Sequence, residues 1–350
     1  PEKQIIGSGT ILDTARLRAR LAEYYSINQQ NVHAYVFGEH GDTSMIPWSL
    51  ATIAGIEMDR YCTDLCDKHN MCGKEELREI EEDVRTAGAK VIAYDRLIMN
   101  TKAVDYYATF QLEQVGVLEA TYLIEKLGLK DGAKGPFNIE LFTGSPDDNN
   151  AKYFFKGAWE LLQPYFASGA LVSPSNHGQG VTKDFKVDDW QSISVQSWKT
   201  EQAQKDMESI LDSTYAHGEK LDAVLSPYDG ITQGVINAIE SKRPDMKPGT
   251  DSWPYITGQD AMEIAVANIS KGKQGETVFK DVNKLADAVY DMIIEIAEGK
   301  DVSGINGKFN NNTIDVPSKL LDPRSITKDN LSDLVKAEYI TQERFDELTK

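Results

Sequence analysis

From about residue 90 onward the sequence alternates between short apolar runs and longer amphipathic runs. The short runs include KVIAYD, FNIELFTG, DAVLSP, PYITGQD and ETVFKD. The amphipathic runs predict helices near 108–127, 150–165, 200–214, 229–241, 260–270 and 282–298. Short strands separated by helices indicate βαβ units and a mainly parallel sheet, so the predicted fold class is α/β.

Polar residues follow each of these predicted strands. The segments are YDR, GSPDDNN, SPYDG, GQDA and FKD. In open α/β sheets, ligands bind beyond the carboxyl ends of the strands. The sequence therefore predicts a ligand-binding surface built from these segments.

The net charge argues against nucleic acid as a partner, and the short apolar runs argue against a membrane-spanning segment. The 350-residue chain carries a formal net charge of −18, with 55 acidic and 37 basic side chains. This balance opposes nucleic-acid binding, which requires lysine and arginine to neutralise phosphates. Apolar runs such as DMIIEIA are far shorter than the ~20 residues of a membrane span. The first residues, PEKQIIGSGT, have no basic and apolar signal-peptide pattern.

The first 88 or so residues carry a separate pair of motifs, GSGTILDTARLR and NVHAYVFGEHGDTSMIPWS. Both resemble the catalytic domain of the L-lactate dehydrogenase family. The resemblance implies that His40 is the acid/base at the substrate carbon, that Asp13 orients its imidazole and that Arg16 binds the substrate carboxylate. A carboxylate on one imidazole nitrogen fixes the tautomer, and a guanidinium fork suits a carboxylate.

The dehydrogenase resemblance also implies a cofactor for which the sequence has no site. That cofactor is NAD, and the chain contains no G-x-G-x-x-G fingerprint to bind it. We therefore expect no cofactor, with NAD relevant only if the chain acts as a dehydrogenase. Separately, Arg18 and His33 match positions that bind an activating sugar bisphosphate in bacterial members of the family.

All three cysteines lie in this first part of the chain. Cys62, Cys66 and Cys72, together with His69, suggest a zinc site as one alternative. Structural zinc sites usually bring ligands from two separate knuckles, which a single helix turn does not provide. The other reading is free thiols, and we expect no metal.

The remainder, residues 89–350, resembles the periplasmic sugar-binding proteins of ABC importers, of the xylose and multiple-sugar type. The motifs are AKVIAYDRLIMNTKAVDYYATF, GPFNIELFTGSPDDNNAKYFF, DAVLSPYDGI and YITGQDAMEIAVANISKGKQGETVFKD. The resemblance implies two α/β lobes and a set of sugar contacts. These are Asp95, Arg96, Asn149, Asn150, Trp198, Asp229, Asp260 and Lys280.

The chemistry of this set agrees with sugar recognition. Carboxylate, amide and guanidinium groups bind hydroxyls, and an aromatic ring stacks on the apolar face of a pyranose. Each residue also has a simpler reading. Asp229 and Asp260 could be helix N-caps, Asp95 and Arg96 a solvated pair, and Trp198 a core residue.

The two resemblances meet near EEDVRTAGAKVIAYDRL, where one pattern favours a helix through Val91–Ile92 and the other a strand over Lys90–Tyr94. We interpret the chain as a fusion, engineered, recombined or misjoined, of a dehydrogenase-like segment (1–88) and a sugar-binding region (89–350). The first lobe of that region is expected to be incomplete. The sequence predicts an aldose-binding component of a sugar ABC importer, periplasmic or extracellular, with a membrane permease as partner. The alternative is a cytoplasmic 2-hydroxy acid dehydrogenase fragment, inactive alone.

Overall fold

The computed structural model describes residues 3–8, 20, 32–37, 90–175, 177 and 180–350. It divides into two compact units, each built from two stretches of chain. The first unit comprises Pro1–Phe110 and Asp281–Leu321, and the second comprises Gln111–Lys280 and Asp322–Lys350.

The described residues form both strands and helices. The strands are β1 (Lys3–Ser8), β2 (Val32–Phe37), β3 (Lys90–Tyr94), β4 (Tyr106–Phe110), β5 (Phe137–Leu141), β6 (Leu171–Val172), β7 (Ala223–Leu225), β8 (Tyr255–Ile256), β9 (Glu276–Phe279), β10 (Gly307–Asn310), β11 (Asp315–Leu321) and β12 (Arg324–Thr327). The helices are α1 (Leu112–Lys126), α2 (Asn149–Ser168), α3 (Thr200–Thr214), α4 (Asp229–Lys242), α5 (Glu263–Ser270), α6 (Val282–Ala297), α7 (Asp333–Lys336) and α8 (Gln342–Leu348). Two 3₁₀ segments cover Val187–Ile193 and Gln196–Trp198.

The first unit contains a six-stranded sheet in the order β10-β11-β4-β3-β1-β2. All neighbours are parallel except β10 and β11. Ile92 and Phe110 of the sheet share a buried core with Leu285 and Val289 of α6. The periodic apolar face of α6 thus covers this part of the sheet, as expected for an amphipathic helix.

Strand β3 resolves the conflict at the junction of the two sequence patterns. Lys90–Tyr94 is a strand that pairs in parallel with β1 on one side and β4 on the other. The helical reading of Val91–Ile92 is therefore wrong. Two-sided pairing in a buried parallel sheet outweighs the local helix signal, because both residues are fully buried there.

The dehydrogenase-like stretch supplies strands to this same sheet. The run NVHAYVF contains β2, and β2 pairs in parallel with β1. Arg20, in the connection between them, has helical backbone. Its Nη1 lies 2.7 Å from Asp287 Oδ1 of α6, and its guanidinium lies 4.0 Å from the ring centre of Tyr290. The sheet of the first unit therefore combines strands from both sequence patterns.

The second unit contains a parallel sheet in the order β6-β5-β7-β8. Strands β9 and β12 pair in a separate two-stranded antiparallel sheet, and an isolated bridge links Val278 of β9 to Gln259, which follows β8. Helices α1 and α2 approach each other closely at glycines. A Cβ on Gly116 would lie 1.8 Å from the Phe154 carbonyl oxygen, so this contact excludes any side chain.

The predicted helices agree closely with those observed from residue 149 to 297. The predicted helix at 108–127 is an exception at its start. Tyr106–Phe110 is strand β4, and α1 begins at Leu112. The aromatic and β-branched run YYATF favours a strand, and it fills the place between β3 and β11. Among the described residues, no helix combines the length and apolar character needed to cross a membrane.

Candidate ligand-binding site

The loop after β5 leads into the two asparagines that the sequence predicts as ligand residues. Asp148 caps α2, since its side chain accepts a hydrogen bond of 3.0 Å from the backbone N–H of Asn150. Asn150 is buried. The buried Nδ2 of Asn149 has no hydrogen-bond acceptor among the described residues. The start of α2 thus holds an amide donor available for a further partner.

Trp198 lies beside this loop. Ser197 and Trp198 both have positive φ, and the backbone N–H of Ser197 donates to Ser145 Oγ at 2.8 Å. The indole covers Gly144, where a Cβ would lie 1.9 Å from the ring. Because Trp198 is only partly buried, part of its indole ring is exposed at the carboxyl end of β5.

Tyr228 extends this aromatic surface and was not predicted from the sequence. Its ring meets Trp198 edge to face, with ring centres 5.7 Å apart and planes at 77°. Tyr228 stands directly before Asp229 in the segment SPYDG, after strand β7. An aromatic residue within a predicted strand-end segment is the signal that identifies it.

Asp260 and Lys280, which follow β8 and β9, form an ion pair. Lys280 Nζ lies 3.0 Å from Asp260 Oδ1, with side-chain exposures of 14% and 36%. Lys280 Nζ also lies 5.4 Å from the ring centre of Phe154 in α2. The backbone N–H of Asp260 donates to Val278, and its carbonyl accepts from Tyr339 Oη at 3.0 Å. A carboxylate and an ammonium group are thus presented together on a fixed backbone.

Asp229, the first residue of α4, is fully buried. Its Oδ1 accepts from Gln274 Nε2 at 2.8 Å, and its Oδ2 accepts from Met262 N at 2.9 Å and Thr277 Oγ1 at 3.0 Å. Burial raises the pKa of Asp229 to about 8, and the Asp260 charge adds to the shift. Both carboxyl oxygens thus bond to protein groups, and contact of Asp229 with a ligand stays a prediction.

Two further carboxyl groups are buried in the same unit. Burial raises the pKa of Glu119 in α1 well above its usual range, and the charges of Glu276 and Asp229 add to the shift. Burial likewise raises the pKa of Glu276 in β9 to about 8. Neither carboxyl oxygen of Glu276 accepts a hydrogen bond from the described residues. The described part of the chain contains no group of three metal-ligating side chains arranged to hold an ion.

Asp95 and Arg96 belong to the first unit and follow β3 directly. Both side chains are half-buried. Asp95 has a φ of 66°, and its carbonyl accepts from Tyr107 Oη at 2.8 Å and Thr109 Oγ1 at 3.0 Å. These bonds hold the backbone of the predicted ligand residue in the left-handed region that non-glycine residues seldom adopt.

The predicted dehydrogenase residues lie outside the described residues. These are His40, Asp13 and Arg16, with Arg18 and the cluster Cys62, Cys66, His69 and Cys72. For His33, the structure describes only its place in β2. Their proposed roles stay predictions.

Comparisons with known proteins identify both parts of the chain. The periplasmic binding protein domain matches residues 70–301. The alpha/beta C-terminal domain of lactate/malate dehydrogenase matches residues 10–97. The two matches overlap over 70–97, the stretch that contains β3 and the junction predicted from the sequence.

Individual relatives show the same division. The chain is 42% identical over 271 residues to the multiple sugar-binding periplasmic protein of Azospirillum brasilense, covering 77% of this chain and 72% of that protein. It is 48% identical over 109 residues to the L-lactate dehydrogenase of Acetivibrio thermocellus, covering 31% of each. The chain therefore spans less than a third of that enzyme.

A solved structure supports the fold assignment. An ABC transporter solute binding protein from Clostridium phytofermentans, solved with bound β-D-glucose, aligns with a TM-score of 0.74 and 31% identity. The alignment covers 98% of this chain and 100% of that chain. The chain combines a dehydrogenase-like first part with a larger second part, and by that second part it belongs to the periplasmic binding protein domain family.

Proposed function

We propose that this chain binds an aldose, as the solute-binding component of a sugar ABC importer. The observation that carries the proposal is the arrangement at the carboxyl ends of β5, β7, β8 and β9. The aromatic pair Trp198–Tyr228 and the ion pair Asp260–Lys280 both lie there, in one unit.

The two pairs match the two kinds of surface that a pyranose has. Its C–H face stacks on an aromatic ring, and its hydroxyls both donate and accept hydrogen bonds. In this proposal, Trp198 takes the apolar face. The Asp260 carboxylate accepts from a hydroxyl, and the Lys280 ammonium donates to one.

Similar proteins support the same ligand class and the same setting. One relative is named a multiple sugar-binding periplasmic protein, and one solved neighbour contains β-D-glucose. We therefore propose a periplasmic location and a membrane permease as the partner.

A thermal-shift screen tests the proposal. D-glucose, D-galactose and D-xylose are each added in a concentration series, because a ligand that binds only the folded state stabilises it by RT ln(1 + [L]/Kd). This amounts to about 2.7 kcal/mol at 100 times Kd. We expect a stabilisation with at least one aldose that is lost in Trp198→Ala and Asp260→Ala. The control Asp251→Ala replaces an exposed aspartate in a turn and should keep it. Lack of response to every aldose would contradict the proposal.

The dehydrogenase alternative is supported by the 48% identity of the first part to an L-lactate dehydrogenase. Under that alternative, NADH rather than an aldose stabilises the chain, and pyruvate oxidises NADH in its presence. The variant His40→Ala separates the two functions. It should abolish any pyruvate reduction and leave a sugar response intact.

A further inference from the structure

The turn that carries Asp260 has a backbone that needs external support. Asp260 and Ala261 have φ values of 91° and 51°, two consecutive non-glycine residues at positive φ. Such residues keep this conformation only where the surrounding structure fixes it. The direction of the Asp260 side chain therefore depends on what holds residues 259–262.

Asp229 bonds to both ends of this turn. Its backbone N–H donates to the Gln259 carbonyl at 3.0 Å, and its Oδ2 accepts from the Met262 N–H at 2.9 Å. A third bond links the turn to β9, since the Ala261 N–H donates to Thr277 Oγ1 at 3.0 Å. The same Thr277 hydroxyl donates to Asp229 Oδ2. One buried residue thus ties together the hydrogen bonds on both sides of the two strained positions.

Asp229 packs closely against the backbone of Gly258. A Cβ on Gly258 would lie 2.3 Å from Asp229 Oδ1 and 2.4 Å from Gln274 Nε2. Gln274 Nε2 in turn donates to Asp229 Oδ1 and to the Glu276 carbonyl, at 2.8 Å each. The carboxyl group is therefore held from β9 and from the β8 loop at once.

We propose that Asp229 is a positioning residue for sugar binding: it fixes the 259–262 turn and thereby aims the Asp260 carboxylate at the sugar, without touching the sugar itself. The inference rests on the proposed aldose-binding function of Asp260. It assigns to Asp229 a role different from the direct contact that the sequence resemblance implies.

A double-mutant cycle distinguishes positioning from contact. Asp229→Asn keeps the size of the side chain but replaces one acceptor oxygen with an NH₂ group. In the place of Oδ2 this group faces two donors, the Met262 N–H and the Thr277 hydroxyl. In the place of Oδ1 it faces the donor Gln274 Nε2. Aldose affinity is measured by concentration series of thermal shifts in the wild type, Asp229→Asn, Asp260→Ala and the double variant. Where Asp260→Ala leaves no measurable binding, Asp260→Asn takes its place.

If Asp229 acts through Asp260, the single variant Asp229→Asn weakens binding by at least tenfold. In the background of the Asp260 variant that retains measurable binding, the same change weakens it by less than twofold. Residues that act as one unit give such non-additive losses. Losses that multiply would show an independent contact between Asp229 and the sugar and would overturn the proposal. If the wild type binds no aldose, the proposed function fails as well, so the two failures are distinct.

A second pair of variants keeps the test valid if Asp229→Asn does not fold. Thr277→Val removes the hydroxyl that joins Ala261 to Asp229, whereas Thr277→Ser keeps it. We expect Thr277→Val to lower aldose affinity at least fivefold and Thr277→Ser to restore it to within twofold of the wild type. Equal affinities for the Val and Ser variants would overturn the proposal.

Discussion

Replacing Glu276 by glutamine should change how the stability of the second unit depends on pH. Glu276 is fully buried in β9, and burial raises the pKa of its carboxyl group to about 8. In the unfolded chain the same group titrates near 4.3. Between these two values the folded protein holds a proton that the unfolded chain releases.

The sign and size of the effect follow from proton linkage. Because the unfolded chain binds fewer protons in this range, the free energy of unfolding falls as pH rises, by about 1.4 kcal/mol per pH unit for one group. The stabilising contribution is complete below about pH 4 and is lost by about pH 8. Between pH 5 and 7 it falls by about 3 kcal/mol. A neutral glutamine removes this dependence.

Urea unfolding followed by tryptophan fluorescence measures the effect, since Trp159, Trp190, Trp198 and Trp253 all lie in the second unit. As the pH rises from 5 to 7, the free energy of unfolding of the wild type should fall by about 3 kcal/mol more than that of Glu276→Gln. Glu201→Gln, which replaces an exposed glutamate at the start of α3, is the control and should run parallel to the wild type. Parallel pH profiles for Glu276→Gln and the wild type would refute the reasoning.

Two other substitutions test the aromatic surface and the junction of the first unit. Gly144→Ala places a methyl group where the Trp198 indole lies. We expect about 1–3 kcal/mol of destabilisation and a several-fold loss of aldose affinity in thermal-shift titrations. Unchanged affinity would show that the indole does not contact the sugar. Arg20→Ala removes the ion pair with Asp287, whose two side chains are 36% and 31% exposed. We expect a loss of ~1 kcal/mol or less in urea unfolding, and a loss of several kcal/mol would show that the pair is far stronger than partly exposed pairs usually are.

Much of the fold from β5 onward could be predicted from the sequence. Runs such as DAVLSP, followed by a helix that begins at Asp229, combine apolar strands with amphipathic helices at separations typical of βαβ units. The short strands β10 and β12, of four residues each, carry no such periodicity and were not predicted. They exist because a neighbouring strand is present in each case, which is a tertiary effect.

The candidate site shows the same limit. A position after a strand predicts that a residue lies at the ligand-binding edge, and Asp260 and Lys280 do meet there. The sequence does not show that Asp229 is enclosed, because two of its partners, Gln274 and Thr277, lie 45 and 48 residues further along the chain. Nor does it show that the dehydrogenase-like stretch supplies β2 to the sheet of the first unit, since that depends on pairing with β1.

A crystal structure of the chain with the aldose that stabilises it most tests the central claim most directly. We expect the sugar to stack on Trp198, with hydroxyls within hydrogen-bonding distance of Asp260 and Lys280, and no sugar atom within that distance of Asp229. A sugar bound away from the carboxyl ends of β5, β7, β8 and β9 would contradict the account.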